Sequence, residues 1–480
     1  MSEEHSGGEG SVVDLVGVGF GPSNLALAIA IAERNAELER VPGARAVTAT
    51  FVERQPRFGW HRGMLLEDAT MQVSFLKDLV TLRNPKSDFT FLCYLQSRDR
   101  LIDFINRKNF FPSRMEFHDY LQWAAELVDG DVAYGHEVEA VRPVVRGGEV
   151  VSFDVTSREV TGSGAPLVHR TRNLVLGTGL VPRLPDGVIA DDRIWHTRDL
   201  LPNAERLKGW SSSPTRFVVV GAGQSAAEAV DYLHREFPAA EVCAVITRYG
   251  YSPADDSAFA NRIFDPAAVD DYFTASPQVK QMMLDYHGNT NYSVVDHDLI
   301  EDLYRRVYQE KVRGEERLRL LNVSRVEEAV RTGDRVRTVV ESMITGSRQV
   351  LDADAVVFAT GYRTPDPAAL LGDLAAECRR DETGQVVVSR DYRIATTPRV
   401  RAGIYLQGGT EHTHGISSSL LSNTSIRSAE ILDSIVRNPE SAGDPVRHAA
   451  RRETPRSRVT VRRPAPVSSA RRGAGRAAPR

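Results

Sequence analysis

The chain reads as an α/β protein with two Rossmann-like dinucleotide-binding domains and a smaller, mostly helical substrate-binding region. Three observations predict this. A β-branched strand at 12–18 runs into Gly17-Val18-Gly19-Phe20-Gly21-Pro22, and a helical pattern follows. The same order recurs at Val218-Val219-Val220 and Gly221-Ala222-Gly223-Gln224-Ser225-Ala226. Two further apolar strands end in Gly177-Thr178-Gly179 and Ala359-Thr360-Gly361-Tyr362, as expected where a chain crosses between two nucleotide domains.

Residues 22–39 read as a helix because Leu25, Ala28, Ile29 and Ala32 recur at helical spacing, and 46–52 read as a second strand. A dinucleotide needs a tight turn after the first strand and bare backbone where its diphosphate meets the helix N-terminus. Gly17, Gly19 and Gly21 supply both. Pro22 suits a first helical turn, where its missing N–H is an orphan anyway, and Ser23 follows it. Glu53 ends the second strand, where a carboxylate accepts ribose hydroxyls and favours an adenosine lacking a 2′-phosphate. Residues 61–129 mix helix and loop signals with many aromatics, and a Pro-rich connection covers 182–214.

In the second unit 216–220 is a strand, 225–235 a helix and 242–247 a strand ending at Arg248. A guanidinium there offers a planar donor fork to a 2′-phosphate. An acid-terminated first site and an Arg-terminated second one point to FAD and NADPH, the pair needed by a flavin enzyme reduced by a nicotinamide. Residues 251–304 are polar and aromatic without strand periodicity and read as an irregular functional insertion. A buried strand at 355–359, a glycine-rich loop after Tyr405 and a helix over about 418–436 complete the body. The expected domains are therefore 10–180 (FAD, first part), 205–353 (NADPH) and 354–436 (FAD return and substrate loop). The substrate region draws on 65–125, 255–305 and 410–425, and 438–480 forms a basic, disordered tail.

Composition narrows the class. The 480 residues are 41% apolar, enough for a sizeable core. The longest apolar run, 25–32, is too short to span a bilayer, and the acidic, Gly-rich start is wrong for a signal peptide. Cys93, Cys243 and Cys378 are scattered, which excludes a CxxC pair and with it the thiol–disulfide reductases that share a double-dinucleotide plan. His412 and His414 lack companions at metal spacing, so no metal is expected. The net charge of −4 averages a tail of +10 (eleven Arg and Glu453 from Pro445 onward) and a body of −14. The tail lacks interleaved aromatics, so neither nucleic acid nor membrane is an expected partner. A cytoplasmic location fits all of this.

Other motifs carry a resemblance over about residues 12–436. They are Gly19-Phe20-Gly21-Pro22-Ser23-Asn24-Leu25, Ser74-Phe75-Leu76-Lys77-Asp78-Leu79-Val80 with Leu82-Arg83-Asn84-Pro85, Gly223-Gln224-Ser225-Ala226-Ala227-Glu228, Pro253-Ala254-Asp255-Asp256-Ser257, Asn289-Thr290-Asn291-Tyr292, and His414-Gly415 with Leu420-Leu421-Ser422. The chain resembles the siderophore-pathway N-hydroxylating flavin monooxygenases, and within them the ornithine branch more than the lysine branch. The resemblance implies FAD, NADPH and O2, a flavin C4a-hydroperoxide, and hydroxylation of the L-ornithine side-chain amine to N(5)-hydroxy-L-ornithine. It also implies retained NADP, and a homo-oligomer, commonly a tetramer. A lysine N(6)-hydroxylase is the near alternative, and an inactive nucleotide-binding regulator the alternative from another class.

The resemblance assigns residues. Lys77 pairs with the substrate carboxylate, and an unpaired cation beside Phe75 and Leu76 would otherwise be costly. Asn261 and Asn291 hydrogen-bond the amino-acid backbone, and Ser419 lies in a loop contacting substrate and flavin. Gln72, Trp60 and His61 lie near the flavin, with Gln72 and Asn291 supporting chemistry that belongs to the cofactor. Arg114 either lines the flavin or nicotinamide approach or forms a structural salt bridge. Ser417-Ser418-Ser419 departs from the family, whose members more often carry an acid near Ser418, which puts the amine-end contacts in question.

Overall fold

Two sheets whose parallel central strands are apolar and buried carry the two glycine turns. The computed structural model describes residues 12–162, 164–210, 213–290, 292–438 and 460–461. In the first sheet Val13–Val18 lies between Ala49–Glu53 and Leu167–Leu176, parallel to both, and Asp131–Tyr134 extends the outer edge. Gly403–Leu406 returns from the far end of the chain to pair in parallel with Leu167–Leu176. His136–Arg146 and Glu149–Glu159 form an antiparallel extension. The helix Pro22–Leu38 covers one face, burying Leu25, Ala28, Ile29 and Ala32 as their spacing predicts. Against it packs an aromatic cluster from Phe91–Ser97, Leu101–Arg107 and Arg114–Leu127, including Phe91, Phe104, Phe117 and Tyr120.

The second sheet is wholly parallel, in the order Leu318–Leu321, Glu241–Val245, Arg216–Val220, Ala355–Phe358, Ile194–His196. Two of these strands fall outside the expected 205–353. Ala355–Phe358 was assigned to the flavin return and Ile194–His196 to a connector, yet both complete the second sheet. A short apolar run carries no information about which sheet it joins, and only tertiary pairing decides. An antiparallel meander, Ser324–Thr332, Arg335–Ser342 and Arg348–Ala353, precedes the last central strand. Where the chain crosses between sheets, Val181–Pro182 pairs with Tyr362–Arg363.

The stretch expected to be irregular is largely helical: Pro266–Thr274, Pro277–His287 and His297–Arg313. Both prolines open their helices, and Ser276 caps the second by accepting from Val279 N (3.4 Å). Pro277–His287 buries none of its residues, so it shows no apolar period. The last helix begins at Thr424, after 3-10 turns at Ile416–Ser419 and Leu421–Asn423, so Ser419 is not its N-cap. Of the expected tail, Asn438 is described, and Thr460–Val461 pairs with Val128–Asp129; residues 439–459 and 462–480 lie outside the described residues.

Candidate active site

At the first turn, backbone geometry makes room for a diphosphate. Gly19 has φ +83, and a Cβ there would collide with the Gly177 carbonyl oxygen; a Cβ on Gly17 would enter the Phe51 ring. Nothing lies within 4 Å of a Cβ built on Gly21, so the approach to the helix start is open. The first helical bond runs from Leu25 N to Gly21 O (2.9 Å), which leaves the N–H groups of Ser23 and Asn24 without intrahelical partners. Glu53 is buried and held by Phe20 N (2.7 Å) and Gln55 N (2.8 Å), one donor on each oxygen. A carboxylate has about four acceptor sites, so capacity for ribose hydroxyls remains. These residues fit FAD.

Trp60 and His61, expected near the flavin, pack on each other. Their rings meet edge to face at 4.6 Å, and Trp60 also packs on Phe117 at 6.1 Å. The His61 ring is solvent-accessible yet deeply set among protein atoms, as on the wall of a cleft, and its backbone is left-handed (φ 49). Its desolvated setting and the Arg114 guanidinium push its pKa down to about 4.

At the second turn Gly221 has φ +142 against the Ala359 carbonyl, and Gly223 opens the helix Gln224–Glu236 with Ser225 in its first turn. Arg248 follows Glu241–Val245 and donates to the Ser293 carbonyl (2.9 Å); Ser293 Cα lies 3.3 Å from a Cβ built on Gly223. No carboxylate among the described residues pairs with Arg248, so its fork stays available to a 2′-phosphate. This set fits NADPH. The Gln224 side chain does not, because it is spent elsewhere: Oε1 accepts from Asp296 N (2.8 Å), and Nε2 donates to Glu228 Oε1 (3.0 Å) and Asp296 Oδ2 (3.2 Å).

Those bonds belong to a polar bridge between the two halves. Arg114 binds Glu228 through both oxygens (2.8 and 2.9 Å) and the Met64 carbonyl (2.9 Å), and Gln72 Nε2 donates to Asp296 Oδ2 (2.6 Å). The two readings of Arg114 resolve to the buried salt bridge, and the amide of Gln72 joins the same bridge. Burial raises the Asp296 pKa, opposed by the Gln72 hydrogen bond. His196 Nε2 lies 2.9 Å from the Gly361 carbonyl oxygen.

Lys77 projects from a rigid loop. The Asp78 carboxylate accepts from Val80 N, Thr81 N, Thr81 Oγ1 and Phe91 N at 2.6–2.9 Å, and Phe75 stacks on Phe110 at 5.9 Å. The Lys77 ammonium lies 5.8 Å over the Phe264 ring, half-buried, with no ion pair among the described residues. Burial lowers its pKa, and Asp265 opposes this at longer range. Phe264 closes the 3-10 turn Ala260–Phe264, which also holds Asn261 and packs against Ile416–Ser419. The segments that carry Lys77, Asn261 and Ser419 are thus linked through Phe264 and the contact between the two 3-10 turns. The amide N–H of Asn261 is used locally, on the carbonyls of Asp256 (2.7 Å) and Ser257 (3.3 Å). Ser419 is exposed and its Oγ accepts from Gly409 N (3.4 Å). Asn291 lies outside the described residues.

His414 stacks on Tyr392 at 4.1 Å, with Nε2 on the Arg390 carbonyl (3.2 Å) and Nδ1 on Thr413 Oγ1 (2.8 Å), a packing role rather than a ligand's. Phe264, Asp78, Glu228 and Asp296 escaped the sequence reading, as did a buried Arg427 that touches Ser23.

The comparisons agree with this layout. The family model described as L-lysine 6-monooxygenase/L-ornithine 5-monooxygenase matches residues 11–364. An L-ornithine N(5)-monooxygenase of Burkholderia cepacia is 44% identical over 410 residues, 84% of this chain and 90% of that protein. An ornithine N-hydroxylase of Kutzneria sp. 744, solved with reduced FAD, NADP+ and L-ornithine, superposes with a TM-score of 0.83 at 49% identity, covering 89% of this chain and 99% of that one. An L-lysine 6-monooxygenase of Pseudomonas syringae gives 0.77 at 32% identity, covering 89% and 100%. With two nucleotide turns, a match to the family model over most of its length and a relative 44% identical, the chain belongs to the L-lysine 6-monooxygenase/L-ornithine 5-monooxygenase family.

Proposed function

We propose that the chain is an NADPH- and O2-dependent hydroxylase of the L-ornithine side-chain amine, yielding N(5)-hydroxy-L-ornithine. The observation that carries this reading is the half-buried Lys77 ammonium, without an ion pair among the described residues, over the Phe264 ring of the turn that holds Asn261 and meets Ile416–Ser419. A cation so placed suits a substrate carboxylate. The relatives named for ornithine resemble the chain more than the one named for lysine.

When bound, FAD supplies the redox and oxygen chemistry, and the protein supplies binding, orientation and exclusion of water. Gly17, Gly19, Gly21, Pro22, Ser23 and Glu53 hold FAD, with Trp60 and His61 at its cleft. Gly221, Gly223, Ser225 and Arg248 hold NADPH. The bridge through Arg114, Glu228, Gln224, Asp296 and Gln72 fixes one half against the other, so that the nicotinamide meets the flavin in one geometry. Lys77 anchors the α-carboxylate, Asn261 and Asn291 hold the amino-acid backbone, and Ser419 faces the amine end. A free alkylamine has a pKa of about 10.4, and apolar neighbours such as Phe264 would disfavour its charged form. The product is a precursor for hydroxamate siderophores or related compounds.

Among the described residues no helix is long and apolar enough to cross a membrane. We place the enzyme in the cytoplasm, where NADPH and amino acid meet and three unpaired cysteines are tolerated. A homo-oligomer, a tetramer by family resemblance, is supported by the helix Pro277–His287, which buries nothing and exposes Met282 (61%) and Tyr286 (79%). Product analysis with ornithine, lysine and shorter and longer diamino acids tests the function. Faster hydroxylation of lysine would move the chain to the sister activity, and no hydroxylated amine despite flavin reduction would end the reading.

A further inference from the structure

A buried cation without a counter-ion stands behind the first glycine turn. Arg427, on the helix Thr424–Arg437, is 2% exposed. Its Nε donates to Gln407 Oε1 (2.8 Å), its Nη2 to Ser23 Oγ (3.1 Å) and Thr424 Oγ1 (3.3 Å), and its Nη1 to the Ser418 carbonyl oxygen. All four acceptors are neutral. No carboxylate among the described residues is in ion-pair contact with it, and Glu430, the acid it senses at longer range, is engaged through both oxygens by Arg390 (2.9 and 3.0 Å). Arg114, by contrast, has its fork on the Glu228 carboxylate.

Location sharpens the anomaly. Ser23 is the second residue of the helix Pro22–Leu38, so the guanidinium reaches the positive end of a helix dipole. A desolvated cation is costly unless paired, and the dipole adds to that cost. Around it the buried atoms Asn24 Oδ1, Ser418 Oγ, Ser422 Oγ and Ser425 Oγ have no hydrogen-bond partner. The guanidinium and the helix N-terminus thus put two sources of positive charge behind the turn where a Cβ on Gly21 would meet nothing within 4 Å.

We propose that Arg427 is the counter-charge for the diphosphate of the flavin nucleotide at the Gly17–Pro22 turn. It is too buried to touch that ligand, so it is a positioning residue that acts across Ser23 and through its field, while its other arm holds Ser418 of the serine loop. The proposal rests on the reading of this turn as the FAD site.

The test compares full-length wild type, Arg427→Gln and Arg427→Lys. FAD release from the holoenzyme on dilution is read by flavin fluorescence, and melting temperature is measured with and without added FAD. R427Q is expected to weaken FAD binding about ten- to a hundredfold and to shrink the FAD-induced rise in Tm. It should change the Tm of the flavin-free chain only modestly, because the loss of an uncompensated charge offsets the loss of its hydrogen bonds to four acceptors. R427K keeps the charge and should recover most of the affinity. FAD affinity within twofold of wild type in R427Q overturns the proposal. So does a flavin-free R427Q chain that melts far lower or does not fold, because that is the signature of packing alone. Wild-type protein that binds no FAD would instead remove the flavin reading itself.

Discussion

Replacing Lys77 by alanine should raise the KM for ornithine steeply while sparing flavin reduction. The ammonium is half-buried over Phe264, and no described carboxylate pairs with it. A substrate carboxylate about 4 Å away would gain about 4 kcal/mol at an effective dielectric of 20. Lys77 is about half exposed to solvent screening, so a loss of about 2–3 kcal/mol is the working figure, or about 30- to 150-fold in affinity. The Asp78 carboxylate sets the loop through four hydrogen bonds that do not involve the Lys77 side chain, so the loop should keep its shape in the variant. Two assays separate binding from redox chemistry: hydroxylamine formation against ornithine concentration, and stopped-flow bleaching of the flavin by NADPH. A KM within twofold of wild type would remove Lys77 from the site. A matching loss of NADPH-driven bleaching would show that the loop, not the charge, had been damaged.

Three other outcomes follow from the same geometry. Arg248→Gln should cut the preference in kcat/KM for NADPH over NADH about 10- to 100-fold by removing a charged fork from the 2′-phosphate; an unchanged ratio would place phosphate recognition elsewhere. Arg114→Met should cost about 3–5 kcal/mol in urea unfolding by stranding the buried Glu228 carboxylate, and adding Glu228→Gln should recover part of it; simple addition of the two losses would contradict the pair. Burial pushes the His414 pKa down to about 4, with the Arg390 carbonyl opposing and the Arg390 and Arg427 charges assisting. The ring is then neutral in the folded chain but takes a proton in the unfolded chain below about pH 6.5. Stability is therefore unaffected by this group above pH 6.5 and falls as pH drops toward 4, by on the order of 3 kcal/mol. His414→Gln should remove that part of the slope, and an unchanged slope would refute it.

The glycine turns, their strands and the acid or arginine at each strand end were legible because each is a local pattern whose partners lie a few residues away. The long helical insertion was not, because Pro266 and Pro277 look like breakers until they are seen to open helices, and Pro277–His287 has no buried face to impose a period. Strand membership was hidden for a different reason: Ala355–Phe358 is equally apolar whichever sheet it completes. The site residues divide in the same way. Lys77 sits in a recognisable motif, but the Phe264 ring beneath it comes from a distant segment. Gln224 belongs to the second turn by sequence, yet its side chain reaches Asp296 and leaves only backbone for the cofactor. Arg427 carries no local signal at all, since an arginine in a C-terminal helix reads as surface until its 2% exposure is known.

The central claim is that one oxygen atom passes to the side-chain nitrogen of ornithine, held by Lys77 beside a flavin that NADPH reduces. Turnover of L-ornithine with NADPH under 18O2, followed by mass analysis of the product, tests it most directly. The account predicts N(5)-hydroxyornithine carrying one 18O atom, formed in near proportion to the NADPH consumed. NADPH consumption that yields only hydrogen peroxide, or label absent from the hydroxylamine, would contradict it.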